Sequence, residues 1–480
     1  MHWGVVFTAG ALLFLTCVQH DPFFWDTVQL ASKQAHHFYN NGLNFLPLPE
    51  AIDSGHPPLL AYYLACIWSV FGKTLACSHW AMAPFLLANI ALVYRLGYRL
   101  SHPRWAWALV PLVFFDPVVS GQHALVSPDV LVICGFLMAV EGVLNARNGW
   151  LALGVLLLCA SSMRGMMTAA GLMCWCLALQ YGGLGPVSAP LRRLASFVPG
   201  FALAACFLWW HQKTSGWVGF HGSSPWAQAF EPVGPTGFVK NLAIVGWRFL
   251  DFGRIVEWLI LVALLWRGPF QYFWPHGRPR LESPASLLSR HLPSFNRPQP
   301  AVLATLFLCL AIFLLPSALR YQNLSAHRYF LPLFITLHLI VFQLLAAQKR
   351  SFWLGVVLVG LLSGHCWIYP RGISMDWDST LAHRPYHGLR QEAVNWLDAQ
   401  GIPFSTVGSA FPNLNTGENL LLNGDERQFS DKDFSKNTYI FVSNIFNDFS
   451  EPDFWVLEKE WHLLKRFEKS GVWIEIYGKP

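Results

Sequence analysis

Long apolar segments recur along most of this 480-residue chain, and they restrict its fold more than any other feature. Runs of roughly 17 to 22 apolar residues are long enough to cross a hydrocarbon core of about 30 Å as α-helices. Hydrophobic residues make up 54% of the sequence and charged residues only 12%, whereas soluble domains carry about 25% charged residues. We therefore predict an α-helical polytopic membrane protein.

The apolar runs predict about eleven membrane spans plus interfacial helices. Lysine and arginine concentrate in cytoplasmic loops, which places the N-terminus in the cytoplasm and the C-terminus outside. The short apolar segment 57–72 is interpreted as an interfacial helix, because counting it as a span would move the first arginine cluster outside. The Pro/Arg-rich segment 277–299 is predicted to be a cytoplasmic loop. The predicted spans are 4–19, 79–97, 105–121, 128–145, 150–163, 166–182, 194–211, 254–267, 300–318, 329–347 and 352–369.

The first apolar run is interpreted as a retained span rather than a cleaved signal peptide. No basic region precedes it, and 16–19 is a poor cleavage site. Nearly all ten cysteines lie in or near predicted spans, so a disulfide framework is not expected. We expect a multi-pass protein of a bacterial inner membrane.

The sequence changes character after Pro370. Residues 371–480 hold 16 of the 27 acids and 11 of the 33 bases, so this tail carries a net charge of about −5 and the rest about +11. Helices at 385–400 and 451–460 and strands at 438–442 and 472–477 are predicted from local patterns. We therefore predict two domains, a transmembrane domain at 1–370 and a small extracytoplasmic α/β domain at 371–480. The overall positive charge does not indicate nucleic acid as a partner.

Four groups of polar residues fall on the outer side in this topology. Ionisable residues beside membrane spans are functional candidates. Acids and cations from distant parts of the sequence thus converge on one face of the membrane, which is typical of a site for an anionic, lipid-borne substrate. These residues are Asp21 and Asp26, His56, Asp116 and Asp129, and Arg164, Arg320 and Arg328.

Five short motifs occur in order over roughly the first 335 residues. They are Trp25-Asp26, Gly55-His56-Pro57-Pro58-Leu59, Ser127-Pro128-Asp129, Arg164-Gly165 and Arg328-Tyr329-Phe330-Leu331-Pro332. Together they resemble the C-type glycosyltransferases, the superfamily that includes protein O-mannosyltransferases and lipid A aminoarabinose transferases. The resemblance implies an enzyme that takes a sugar from a polyprenyl phosphate on the outer or lumenal face of a membrane. Some relatives have lysine in place of His56, and many have Lys-Gly in place of Arg164-Gly165.

The resemblance also implies a role for each motif. Polyprenyl phosphate is a good leaving group, so no carboxylic acid has to protonate it, unlike in glycosidases. A base is needed for the acceptor hydroxyl, and Asp26 resembles that base. Arg164, Arg328 and His56 would hold the phosphate oxygens, while Asp129 would orient the acceptor or bind a divalent ion. A single displacement would invert the anomeric centre.

Simpler interpretations exist for the same residues. Asp26 could cap the helix that follows it, a role compatible with catalysis. Asp21 and Asp116 each precede a proline and are secondary candidates, suited to turns, and Asp129 suits a helix start. Either arginine could extend to the membrane interface instead. Neutral imidazole holds phosphate less strongly than ammonium, so a role of the histidine at position 56 would depend on pH.

We predict a membrane glycosyltransferase that moves a hexosyl or pentosyl group to a protein, lipid or glycan acceptor; the sugar stays open. His20, Asp21 and His36-His37 lack a recognised zinc spacing, so no metal site is assigned and no cofactor beyond that divalent ion is expected. The alternative is a transporter or flippase of a lipid-linked or anionic solute, with its site near the bilayer midplane and often between inverted repeats. A non-catalytic scaffold that presents the tail is a third interpretation, and it leaves the outer charges unexplained.

Overall fold

The computed structural model describes residues 2–182, 190–219, 221–222, 227–267, 300–322, 324–371, 373 and 375–480. Helices dominate the described part of the chain, and one mixed sheet lies near the C-terminus. The predicted cytoplasmic loop 277–299 lies outside the described residues.

The described residues before position 370 are almost all arranged in helices and the turns between them. A π-helical segment, Val28–Lys33, precedes α2, and a 3₁₀ turn, His327–Phe330, precedes α16. The helices are α1 His2–Val18, α2 Gln34–Asn40, α3 Leu59–Phe71, α4 Leu75–Trp80, α5 Ala83–Leu100, α6 Leu109–Phe114, α7 Pro117–Ala124, α8 Asp129–Leu144, α9 Asn148–Ser161, α10 Met163–Tyr181, α11 Pro190–Ala195, α12 Val198–Ser215, α13 Pro235–Leu250, α14 Ile255–Arg267, α15 Pro300–Arg320, α16 Leu331–Ala347 and α17 Ser351–Gly364.

Four helical stretches in the described residues are long and apolar enough to cross a membrane. Five further apolar helices are shorter. The helical membrane-protein fold is therefore confirmed, but a count of eleven spans is not. The four stretches are Leu75–Leu100, Leu191–Ser215, Pro300–Arg320 and His327–Ala347, and the shorter helices are Trp3–Val18, Leu59–Phe71, Asn148–Ser161, Ile255–Trp266 and Ser351–Gly364.

The prediction of a continuous span at 105–121 is wrong. The chain forms a 3₁₀ turn at Ala106–Ala108 and then α6, breaks at Asp116, and restarts as α7. Pro117 has no N–H to continue a helix, and the Asp116 carboxylate accepts the N–H groups of Val118 and Val119 at 2.9 and 3.3 Å. These bonds cap a new helix, so the apolar run becomes two short helices.

The core is centred on two helices that are buried almost all round. In the stretch His327–Ala347, which contains α16, 94% of the most apolar window is buried inside the protein, and nearly every residue of α8 is buried as well. A helix that is apolar on all sides belongs in an interior. The residues just before α8 and α16 are consequently held in fixed positions near one another.

The tail contains a five-stranded sheet in the order β2-β1-β3-β5-β4. Strand β1 runs parallel to β2 and β3, whereas β5 is antiparallel to β3 and β4. The predicted helices and the strands β3 and β5 are present, but β1, β2 and β4 were not predicted. The elements are α18 Pro385–Ala399, β1 Val407–Ser409, α19 Gly417–Leu421, β2 Ser430–Asp431, β3 Tyr439–Ser443, α20 Glu451–Glu460, β4 His462–Lys469 and β5 Val472–Gly478.

The tail packs directly on the loops that carry the predicted site. Arg384 of the tail contacts Asp21 through Nε at 2.7 Å and Nη2 at 3.1 Å. Glu418 of α19 contacts His36 Nε2 at 3.0 Å and also pairs with Lys73. These contacts join the tail to the segment on both sides of Asp26, so the two parts of the chain share one surface there.

Candidate active site

A cavity of about 1010 Å³ lies where the starts of several helices meet the tail. Its lining includes Asp26, His56, Arg164 and Arg328 from four separate segments of the chain. The tail supplies Asp376, Asp378 and further residues up to Trp473. Four of the seven site residues predicted from the sequence therefore share one cavity.

A tight turn presents Asp26 to this cavity. The Thr27 hydroxyl donates to Phe24 O at 2.7 Å and accepts the Phe24 N–H at 3.0 Å. Between them Trp25 has φ +50°, in the left-handed region that a bulky residue rarely adopts. Asp26 does not cap the next helix; its carboxylate is paired with the guanidinium of Arg328.

A second turn places His56 on the wall. Gly55 has φ +70°, and a Cβ there would lie 2.7 Å from Gly219 O, so only glycine fits. Asp53 accepts the Gly55 N–H at 2.9 Å and contacts His211 Nε2 at 2.9 Å, which fixes the turn. Burial, together with the nearby guanidinium groups of Arg164 and Arg328, lowers the pKa of His56 to about 3. His56 is therefore neutral near pH 7, and the predicted pH dependence of its role is not supported.

Arg164 is placed by the junction of α9 and α10. The Ser162 hydroxyl accepts the Gly165 N–H at 3.0 Å and caps α10. A Cβ on Gly165 would overlap the carbonyl oxygen of Leu158, so glycine lets the two helices meet closely here. The guanidinium of Arg164 lies 3.6 Å from the centre of the Tyr329 ring. This stacking holds its charge beside Arg328.

Three carboxylates surround the guanidinium of Arg328. In addition to the pair with Asp26, Nη1 lies 3.4 Å from Asp129 Oδ2 and Nε lies 3.2 Å from Asp378 Oδ2. The other oxygen of Asp129 lies 3.6 Å from Arg164 Nη1. Asp129 is almost fully buried and does not line the cavity. Asp129 therefore contacts both arginines from the side that faces away from the cavity.

Sequence reasoning missed the contribution of the tail. None of the site residues predicted from the sequence lies in the tail, yet Asp376 and Asp378 both line the cavity. Burial raises the pKa of Asp378 to about 7, the Arg328 guanidinium opposes that rise, and the carboxylate of Asp26 adds to it. A signal was present: Asp376-Trp377-Asp378 follows the last apolar run much as Trp25-Asp26 follows the first.

Asp376 belongs to a second chain of polar contacts. It accepts the His327 backbone N–H at 2.8 Å and contacts His327 Nδ1 at 2.6 Å, while His327 Nε2 lies 2.9 Å from Asp251. Arg248 Nη2 lies 3.5 Å from Asp376. These contacts fasten the tail to the residue that directly precedes Arg328.

Four buried polar nitrogen atoms on the cavity wall have no hydrogen-bond partner in the described part of the chain. The nitrogens of the two arginines lie near carboxylates but without hydrogen-bonding geometry. Such atoms are rare in proteins, and each can be satisfied by a water molecule or by a bound polar group. They are Trp25 Nε1, His56 Nδ1, Arg164 Nη1 and Arg328 Nε.

The two secondary candidates lie outside the cavity lining. Asp21 is held by Arg384 of the tail. Asp116 contacts Arg254 Nη1 at 2.7 Å, and both side chains are fully buried. His338 joins this network between Asp116 and Glu257. Both aspartates therefore stabilise contacts between segments.

Metal binding was left open in the sequence. Within the described ranges, no group of three or more His, Cys, Asp or Glu side chains could hold a metal ion. The three carboxylates around Arg328 are instead directed at cations of the protein itself.

The fold is similar to two crystal structures of ArnT from Cupriavidus metallidurans. The structure bound to undecaprenyl phosphate aligns with 99% of this chain and 98% of its own chain, with a TM-score of 0.55 and 12% identity. The apo structure gives a TM-score of 0.52 with the same coverage and identity. No protein-family model and no curated protein matches the sequence. The chain thus shares the fold of these two structures over nearly its whole length, tail included.

Proposed function

We propose that this protein is a membrane glycosyltransferase that moves a sugar from a polyprenyl-phosphate donor to an acceptor hydroxyl on the outer, periplasmic or lumenal, face. One observation carries the proposal: an aspartate and two arginines from distant segments meet in one large cavity. The fold match is with a protein whose crystal structure contains undecaprenyl phosphate, and it extends over nearly the whole chain.

The phosphate would bind between Arg164 and Arg328. Both guanidinium groups carry a buried nitrogen without a hydrogen-bond partner in the described residues, and Trp25 Nε1 is a third such donor. Each buried donor left unpaired costs about 1–3 kcal/mol. A phosphate that accepts from these groups removes that cost and gains charge-assisted hydrogen bonds. His56, being neutral, would contribute through a hydrogen bond and not through charge.

Asp26 would act as the base. Its side chain is 22% exposed, against 7% for Asp129 and 12% for Asp378, so it is the most accessible of the three carboxylates. A base must reach the hydroxyl proton directly or through one water. The acceptor oxygen attacks the anomeric carbon opposite the phosphate, and its proton passes to Asp26. The bond to the phosphate oxygen breaks with its electron pair, and the configuration inverts.

Asp129 would position the two arginines and not touch the substrate. It bridges both guanidinium groups and does not line the cavity. This differs from the role in acceptor orientation that the resemblance implies. Within the proposal, 1–370 forms the transmembrane domain and 371–480 an extracytoplasmic domain that closes the cavity. The acceptor, whether protein, lipid or glycan, would enter beside the tail.

A transporter or flippase is less well supported. A transporter usually holds its substrate near the bilayer midplane. Here the charged residues lie at helix starts, with Arg164 at the start of α10, Asp129 at the start of α8 and Arg328 just before α16. Their common position beside the tail suits a reaction at the membrane surface.

The test is sugar transfer by purified protein, using a panel of polyprenyl-phosphate sugars with membrane extract as acceptor. Asp26→Asn should lower the rate by about 100-fold or more, because the amide cannot accept the proton. Asp21→Asn is the matched control from the same loop and should keep a rate within a few-fold of wild type. Wild-type turnover by folded Asp26→Asn protein excludes Asp26 as the base. No transfer from any donor, together with measurable lipid transport, would favour the transporter.

A further inference from the structure

The charges around Arg328 do not balance. Asp26, Asp129 and Asp378 all lie within ion-pair distance of it, while Arg164 is the one other cation that contacts this cluster in the described residues. Two cations thus face three carboxylates in a buried site. A donor phosphodiester would add a further negative charge. Carboxylates that share a confined site raise one another's pKa, so the one with the weakest cationic pairing is the first to take up a proton.

Geometry selects Asp378 as that carboxyl group. Asp26 pairs closely with Arg328, and Asp129 contacts two guanidinium groups. Asp378 has one cationic neighbour, Arg328 Nε at 3.2 Å, and this nitrogen makes no hydrogen bond within the described chain. The carboxylate also accepts a hydrogen bond from the neutral hydroxyl of Ser379 at 3.4 Å. Asp378 also faces the carboxylates of Asp26, Asp129 and Asp376. Among the three, it has the weakest compensation for a negative charge.

The backbone around Asp378 is held rigidly against the membrane part. Its carbonyl oxygen accepts the side-chain N–H of Gln122 at 2.8 Å. A Cβ on Gly121 would lie 2.8 Å from Thr380 N, so the two segments touch at a glycine. Asp376 is bound to the backbone and side chain of His327. The Asp378 side chain is therefore fixed on the cavity wall.

We propose that Asp378 is a further donor-binding residue, which enters the site as a neutral carboxylic acid and donates a hydrogen bond to a non-bridging oxygen of the donor phosphate. Arg328 Nε, 3.2 Å away, donates to the same phosphate group. The tail would thereby contribute a residue to the donor site in addition to closing the cavity. This inference rests on the proposed function, because it assumes a phosphodiester donor.

The consequence is a dependence of donor affinity on pH. Burial raises the pKa of Asp378 to about 7, so its proton is lost within the neutral range. Once ionised, the carboxylate repels the phosphate and cannot donate to it. His56 stays neutral over the same range, because burial holds its pKa at about 3. A phosphodiester itself keeps one charge throughout, so the change belongs to the protein.

The experiment measures the Kd of undecaprenyl methyl phosphate, a phosphodiester without a sugar, for the purified full-length protein. If only the protonated form binds, the wild-type Kd rises roughly 30-fold between about pH 6 and about pH 8.5. Asp378→Asn keeps a hydrogen-bond donor but has no proton to lose, so its Kd should change by less than about 3-fold over that range.

Asp448→Asn is the matched control. Partial desolvation raises the pKa of Asp448 too, although this residue is exposed at the surface and does not line the cavity, so the variant should keep the wild-type slope. A wild-type Kd that is flat across this range overturns the inference without any variant. So does an Asp378→Asn protein that is folded and retains the slope or fails to bind the probe. Binding is measured without sugar transfer, so these results are distinct from a failure of the proposed reaction.

Discussion

Replacing Arg254 by methionine should destabilise the protein more than any change on its surface. Arg254 is fully buried, its Nη1 lies 2.7 Å from Asp116 Oδ2, and its guanidinium lies 3.9 Å from the centre of the Phe334 ring. Its Nη2 also donates to Arg248 O at 3.2 Å. Methionine fills a similar volume, but it leaves the buried charge of Asp116 with His338 as its remaining side-chain partner.

The magnitude follows from that stranded charge. Breaking a buried ion pair by removing one partner costs about 3–5 kcal/mol, and the contact with the Phe334 ring adds about 1 kcal/mol or more. We therefore expect Arg254→Met to lower the free energy of unfolding by about 4 kcal/mol. Most of this loss comes from the charge of Asp116, which stays buried without its arginine. The double variant Arg254→Met/Asp116→Asn should recover about 2 kcal/mol, because the amide is uncharged and can still accept the N–H groups of α7.

The assay is denaturant unfolding in mixed micelles, followed by tryptophan fluorescence and repeated for each single and double variant. Arg427→Met is the control, since Arg427 pairs with Asp398 and Asp425 at the surface and should cost at most about 1 kcal/mol. A loss of stability in Arg254→Met no larger than in the control would show that the buried ion pair does not stabilise the fold. A double variant less stable than Arg254→Met alone would show that the charge of Asp116 is not the source of the loss.

Two further predictions concern the turns and the tail. Gly55→Ala should lower the free energy of unfolding by about 1–3 kcal/mol and weaken binding of the undecaprenyl phosphodiester, because the added Cβ meets Gly219 O. Gly42→Ala is the control, since Gly42 has a similar φ of +64° but open space around it. Burial alone would raise the pKa of Glu418, but hydrogen bonds from Lys73 and His36 hold it below the ordinary value. The ionised carboxylate of Glu418 should therefore contribute its full stabilisation of about 1 kcal/mol above about pH 5, and this stabilisation should be lost as the pH falls further. Thermal unfolding of wild type and Glu418→Gln as a function of pH tests this, since the variant should not lose that stability on acidification.

The sequence was sufficient for the fold class because apolar length and charge asymmetry are local properties. Helices α18 and α20 and strands β3 and β5 of the tail were predicted for the same reason. The span at 105–121 was not, since its apolar composition conceals the break that Asp116-Pro117 introduces. Strand β4 was missed because nearly all of it is exposed, so no alternation of buried and exposed residues distinguishes it.

The candidate site was only half predictable, because its contacts join residues far apart in the chain. Asp26 and Arg328 are separated by 302 positions, and Asp376 and Asp378 come from a part of the chain that looked independent. A resemblance in short motifs can indicate which residues matter in the membrane part. It carries no information on the tail segment that follows the last helix, where no motif was recognised.

The aspartates beside the membrane spans look alike in sequence, since Asp21, Asp116 and Asp129 all neighbour a proline. Their partners distinguish them. A carboxylate matched by a fully buried arginine, as in Asp116 and Arg254, has no route to a substrate, and its charge serves only the fold. A carboxylate that shares its cation with other acids on a cavity wall can exchange that cation for a ligand. By this criterion Asp26 and Asp378 are the two acids whose pairing with Arg328 a bound phosphate would change, and their substitution should alter donor binding or turnover where that of Asp116 alters only stability.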